Sequence, residues 1–326
     1  MRGTTIGRLV SAVLAAGLLA GCSSAAPVAA TPPSPAGDGA YAHLTELQRI
    51  TDAAGGTRHT PSPGYDAAVD HVAGVLRAAG WDVSTPTYQA QGQRGTGFRN
   101  VVAQTRGGDP AHVVMAGAHL DSVPEGPGIN DNGSGVASLL QIAQQLGGSP
   151  DLPDTIRLAF WGSEEDELDG SAGYVRGLDQ AGREAIELYV NLDMVASPNG
   201  GYFVQGGTGE DRDETGPAGS AQVAQVLTDE LTRMGAAPQS DVFYGDSDYD
   251  AFVTAGIPSG GLHAGDEDDK STAEAQKWGG QAGEEYDACY HQACDRIDNI
   301  DRTALGRFTD AVHASLRRFA ASPTSL

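Results

Sequence analysis

Cationic side chains are scarce. The 326-residue chain carries 20 lysines and arginines against 43 aspartates and glutamates, a formal net charge of -23. Phosphate contacts need clustered Lys and Arg, so this balance excludes a nucleic-acid binder. It also excludes docking on anionic lipid through a basic patch. Long apolar runs are missing too. The apolar stretch from Leu9 to Ala20 is about 12 residues, short of the roughly 20 that a membrane-spanning helix needs. Cysteine is rare, with three in all. There is no internal repeat and no second break in composition. Hydrophobic residues make up 40%, enough for a sizeable core and against global disorder.

The start of the chain has the layout of a targeting segment. Arg2 and Arg8 precede the apolar stretch, and Leu19-Ala20-Gly21-Cys22 resembles a bacterial lipoprotein signal, in which the cysteine becomes the lipidated first residue. An ordinary secretory leader cut elsewhere is the alternative, and either predicts export. The expected division is a signal peptide over 1–21, a disordered tether over 22–40 rich in small residues and Pro, and a folded domain over 41–326. Export makes a Cys289–Cys294 disulfide the expectation, closing a small loop around Tyr290 and His291.

The body reads as a single α/β domain. Helical spacing of apolar residues marks 41–54, 64–79, 133–146, 170–178, 218–234 and 303–319. Strand-like runs fall at 81–88, 100–105, 112–116, 155–160 and 188–192, near Val242, and at 260–262. This alternation predicts a mixed, largely parallel sheet with helices on both faces, a three-layer sandwich. Ligands of such sheets collect outside the carboxyl ends of the strands.

Candidate chemistry falls there. The strand at 112–116 runs into His119-Leu120-Asp121, where a carboxylate two residues from an imidazole can accept its second N–H. Alone, this is more often the pattern of a surface hydrogen bond. Gly128-Ile129-Asn130-Asp131-Asn132-Gly133 is a tight turn into a helix with one central carboxylate, and by itself reads as an Asx turn and N-cap. Glu164-Glu165 follow a strand; one carboxylate can bind metal while the other acts as general base, although Asp166-Glu167 suit a solvated acidic loop as well. Asp193 breaks an apolar run, and a buried carboxylate there needs a partner. His291 lies inside the cysteine loop. Imidazoles with carboxylates make a typical zinc set, and a carboxylate bridging two zincs would polarise a carbonyl and acidify water.

Taken together and in order, His119-x-Asp121, Asp131 in GINDNGSG, Glu164-Glu165 in FWGSEE, Asp193 in NLDM and Tyr290-His291 in CYHQAC resemble the secreted two-zinc aminopeptidases of the Streptomyces aminopeptidase type. The resemblance runs from about residue 41 to the C-terminus. It implies one zinc on His119 and Asp193, another on Glu165 and His291, and Asp131 between them. It implies Glu164 as general base, Tyr290 as oxyanion donor, Asp121 orienting His119, and a cis Asp131–Asn132 peptide. Substrates would be peptides with a free N-terminus, recognised by Glu164 and Asp193, and the enzyme a monomer with an open cleft. Calcium, which relatives bind, has no residue-by-residue match and stays unassigned.

The side-chain pocket departs from that pattern. Met194 and Tyr290 fit an apolar wall. His263 stands where relatives carry Phe and is either a pocket residue or a solvent-facing loop histidine. Asp246 stands where a relative carries a basic residue, so a preference for leucine is not implied. The five other histidines, 43, 59, 71, 112 and 313, have no partner motif and read as structural. Competing readings are a single-zinc acyltransferase of the glutaminyl cyclase type, a carboxypeptidase relative, and a non-catalytic peptide-binding lipoprotein.

Overall fold

Strands and helices alternate through most of the chain. A computed structural model describes residues 1–3, 35–91, 98–206 and 216–322. Two helices come first, α1 (Pro35–Ala53) and α2 (Pro63–Ala78), followed by the strands β1 (Asp82–Ser84), β2 (Thr87–Tyr88), β3 (Phe98–Arg99), β4 (Val101–Gln104) and β5 (Asp109–His119). Next are α3 (Gly133–Leu146), β6 (Asp154–Trp161), α4 (Asp169–Gly177), α5 (Gln180–Ala185), β7 (Ile186–Leu192) and β8 (Phe203–Gln205). The chain continues through α6 (Ser220–Arg233), β9 (Gln239–Asp241), α7 (Tyr249–Thr254), β10 (Ser259–His263), α8 (Thr272–Trp278) and α9 (Arg302–Ala320).

Eight strands form one sheet in the order β1-β4-β6-β5-β7-β10-β8-β9, and β2 pairs with β3 in a separate ribbon. The central four, β6, β5, β7 and β10, are parallel. Their carboxyl ends therefore lie side by side. The sheet is buried on both faces, and side chains alternate between them. On β5, Val114, Ala116 and Ala118 join the core beneath α1, α2, α3, α6 and α9, while Val113 and Met115 join the opposite core with Val175 of α4 and Phe252 of α7. Gly117 is glycine for want of room: a Cβ there would sit 2.4 Å from the Tyr189 hydroxyl and 2.6 Å from Trp161 Nε1.

Local sequence signals explain the main helix starts. Ser62 caps α2 by accepting from the Tyr65 amide, with Pro63 at the first helical position. Asn132 caps α3 by accepting from the Gly135 amide at 2.9 Å. Three boundaries differ from expectation. α1 begins at Pro35, inside the segment read as a tether, because Ala40, Leu44 and Leu47 pack fully into the core. The run 81–88 splits into β1 and β2, in different sheets. The strand expected near Val242 is β9, just before it. The leader and Cys22 lie outside the described residues. Among the described residues no helix is long and apolar enough to cross a membrane.

Candidate metal centre

The parallel order delivers the site. β5 ends in His119. Its neighbour β6 ends at Trp161, three residues before Glu164, and its other neighbour β7 ends at Leu192, one residue before Asp193. Asp131 arrives on the turn into α3, where Asp131–Asn132 is a cis peptide. Ser163, Met194 and His291 have left-handed backbones (φ 53°, 49° and 55°), uncommon for residues with a side chain. Each lies in one of the segments that aim a ligand.

Asp131 stands between two imidazole–carboxylate pairs. Its Oδ1 is 3.1 Å from His119 Nε2, and its Oδ2 is 3.2 Å from His291 Nε2. His119 Nε2 also lies 3.3 Å from Asp193 Oδ1, and His291 Nε2 lies 3.0 Å from Glu165 Oε2. Glu164 is farther out, 3.9 Å from His119 Nε2. Tyr290 stacks on His291 at 3.8 Å between ring centroids. The disulfide Cys289–Cys294 brackets this pair.

Burial sets the electrostatics. It pushes the Glu164 carboxyl well above the usual range, against the nearby His119. Burial, with Asp131 adding repulsion, brings Glu165 up to about 7. Burial would also raise Asp131, but hydrogen bonds from His119 and His291 hold it low. His291 moves the other way, up to about 10, because Asp131 and Glu165 outweigh its burial. The Tyr290 hydroxyl is pushed up by burial and by the facing carboxylates, and stays protonated at neutral pH.

Asp121 lies beside His119 and also joins two strand ends. Its carboxylate is 3.7 Å from His119 Nδ1, whose nearer contact is the Asp121 carbonyl at 3.3 Å. The same carboxylate accepts from the Glu164 and Glu165 amides at 3.2 and 3.3 Å, which ties the two strand ends together.

Several supporting residues carry no sequence motif. Arg58 is fully buried and donates to the carbonyls of Leu120, Pro127 and Gly128, pinning the segment between His119 and Asp131. Asp295 accepts from the Asn130 and Asp131 amides at 2.8 and 2.9 Å, and burial raises it to about 7. Asn130 donates to Asp287 at 2.6 Å. A hydrogen-bond chain reaches Asp193 from the far core: Trp161 donates to Tyr189, Tyr189 to Asn191, Asn191 to Ser247, and Ser247 to Asp193 Oδ2 at 2.6 Å. Asp295 and Asn130 adjoin motifs already singled out and could have been flagged by that adjacency. Arg58 had no such signal.

His119, Asp131, Glu164, Glu165, Asp193, Tyr290 and His291 open into a cleft of about 1210 Å³ that also includes Met194, His263 and Asp246. His263 is therefore a wall residue, not a loop histidine in solvent. It stacks on Phe203 at 4.8 Å and meets Asp241 Oδ2 at 2.8 Å. The five other histidines stay outside the cleft lining. His59 faces Asp166 and His112 faces Glu187.

The donor set fits zinc. Ligand atoms of His119, Asp131 and Glu165 lie within 4.8 Å of one another, as do those of His119, Glu164 and Asp193. Glu165 Oε1 and Asp193 Oδ1 are buried without a hydrogen-bond partner, a cost that a cation would relieve. Nitrogen and carboxylate donors at this spacing suit zinc better than calcium, which takes oxygen alone.

Similar proteins agree with this chemistry. A model of peptidase family M28 matches residues 100–316. The chain is 54% identical over 213 residues to a probable lipoprotein aminopeptidase, LpqL, of Mycobacterium tuberculosis, covering 64% of this chain and 43% of the relative. It is 42% identical over 291 residues to leupeptin-inactivating enzyme 1 of Streptomyces exfoliatus, covering 89% of this chain and 63% of the relative. The chain thus spans less than two thirds of either relative's length. Among solved structures, a zinc aminopeptidase from Bacillus subtilis superposes with a TM-score of 0.66 at 18% identity, covering 89% of this chain and 97% of that one. Porphyromonas gingivalis glutaminyl cyclase superposes with a TM-score of 0.65 at 21% identity, covering 87% and 99%. At such identities the likeness is one of fold. Every residue of the metal centre lies within the family match, and the chain belongs to peptidase family M28.

Proposed function

We propose that this protein is an exported zinc aminopeptidase that removes the N-terminal residue of peptides. The observation that carries the reading is Asp131, whose two oxygens address two separate imidazole–carboxylate pairs. His119 and Asp193 would hold one zinc, Glu165 and His291 a second, with Asp131 shared. Bound zinc supplies Lewis acidity to the scissile carbonyl and to water. Glu164 takes the proton of the attacking water and passes it to the leaving amine; its buried site, close to His119 yet farther out than the ligand pairs, suits that role. Tyr290 donates its hydroxyl to the developing oxyanion, and its raised pKa keeps the proton available. The free amine of the substrate would meet Glu164 and Asp193, which line the cleft.

The name of the lipoprotein relative supports export. Cys22 would then be the lipid-bearing residue, and the enzyme would act as a monomer on the outer face of the membrane. A single-zinc cyclase would need only one of the two imidazole–carboxylate pairs, whereas this chain offers both.

The deciding experiment compares Leu-p-nitroanilide with its N-acetylated form, using the zinc-loaded chain. Only the free-amine substrate should be cleaved. Glu164→Gln should abolish turnover while keeping its zinc. Cyclisation of an N-terminal glutamine peptide without release of a residue would overturn the reading.

A further inference from the structure

The outer cleft is acidic. Among the described residues that line it none is Lys or Arg, while carboxylates that include Asp241, Asp246, Asp250 and Asp266 line it in addition to the proposed zinc ligands and Glu164. One substrate ammonium, already met by Glu164 and Asp193, does not use these outer carboxylates.

Their position is set by strand register. β10 runs beside β7 with Leu262 opposite Leu192, so His263 stands next to Asp193. The Ala264 amide donates to the Met194 carbonyl at 2.8 Å and locks the two strand ends together. His263 in turn holds Asp241. On the next segment Ser247 donates to Asp193, placing its neighbour Asp246 on the same wall, with Asp250 one helical turn beyond. A substrate whose amine sits at Asp193 therefore lays its first side chain along Met194, His263 and Asp246.

That wall is aromatic as well as acidic. Phe203 and His263 stack, and the Tyr249 hydroxyl donates to Asp246. Tyr244, 65% exposed, lines the cleft as well. Apolar sides with a carboxylate end match a long side chain that has an aliphatic stem and a cationic head. Asp241 is already matched by His263, whereas Asp250 makes no side-chain hydrogen bond among the described residues. Burial and the adjacent Asp246 push the Asp250 carboxyl up, a strain that an incoming cation relieves.

We infer that the pocket for the first side chain selects a cationic residue, lysine or arginine, through Asp246 and Asp250 with His263–Asp241 as the flanking wall. The inference rests on the aminopeptidase reading above.

The test uses the zinc-loaded full chain and two p-nitroanilides, of lysine and of norleucine, which share a stem and differ in the head charge. Lysine should exceed norleucine in kcat/KM by about tenfold or more, and added salt should shrink the ratio. The double variant Asp246→Asn/Asp250→Asn should bring the ratio towards one. Asparagine keeps the volume and an acceptor for Tyr249. Should the variant fail to fold, the ratio for the unaltered chain still decides. Norleucine cleaved as well as or better than lysine would overturn the inference and leave the aminopeptidase reading standing. Cleavage of no free-amine substrate would overturn that reading, and this inference with it.

Discussion

Replacing Arg58 by methionine should destabilise the fold by about 3–5 kcal/mol, the usual cost of removing one partner from a buried charged network. The guanidinium is 0% exposed and donates to three main-chain carbonyls, those of Leu120, Pro127 and Gly128. Each buried acceptor left without a donor costs about 1–3 kcal/mol, so three set a gross loss of about 3–9 kcal/mol. Against that, the variant no longer buries a charge, and burial already disfavours the charged arginine despite Asp295, Asp121, Asp131 and Glu165 around it. Methionine also keeps most of the side-chain volume. The lower half of the gross range is thus the expected net loss. At about 2–4 °C per kcal/mol, the melting temperature should fall by roughly 10 °C. Urea unfolding of the chelated and the zinc-loaded protein measures the loss with and without metal. The loss should be larger with zinc, because the released segment carries Asp131 at its end. Arg58→Lys is the second arm: it keeps the charge but not the three-way fork, and should recover less than half of the loss. A loss below about 1 kcal/mol for Arg58→Met would refute the view that this arginine organises the 120–131 segment.

Gly117→Ala should cost about 1–3 kcal/mol of overpacking, since the new methyl meets Tyr189 and Trp161 in a filled core; denaturant midpoints check it, and a neutral result would show that the neighbours yield freely. Ser247→Ala removes the donor to Asp193 and the acceptor of Asn191 and should weaken zinc binding about tenfold, read by competition with a chromogenic chelator; unchanged affinity would show that the chain of hydrogen bonds does not tune the ligand. Glu274 has its pKa lowered from 4.5 to about 2: burial opposes the shift, but hydrogen bonds from Ser271, Tyr286 and Gln239 outweigh it. Its contribution to stability is therefore present above about pH 4.5 and is lost as the pH falls towards 2. Glu274→Gln should flatten the fall in melting temperature over that window, and superimposable acid limbs would refute the assignment.

The sequence by itself determined the layering and singled out the candidate site residues. Alternating helical and strand-like runs specify an α/β sheet because side-chain period follows backbone geometry. α3 began and ended where its Asn-Gly start and Gly-Gly stop placed it. His119, Asp131, Glu164, Glu165, Asp193 and His291 were legible as candidates because most of them follow a strand-like run or a turn, and their order taken together carries the family resemblance. Tertiary structure decided the rest. Strand order puts β5 between β6 and β7, so candidate ligands from segments far apart in sequence meet at the carboxyl end of the central strands. Asp241 faces His263 across 22 residues, and Arg58 serves carbonyls more than 60 residues away. The start of α1 at Pro35 was hidden as well, since a stretch rich in small residues becomes helix only when Ala40 and Leu44 find α3 and α9 to pack against. Local pattern encodes backbone period and short-range chemistry. A buried cation or a pocket wall depends on which distant segments share a surface, and that is fixed only when the chain closes on itself.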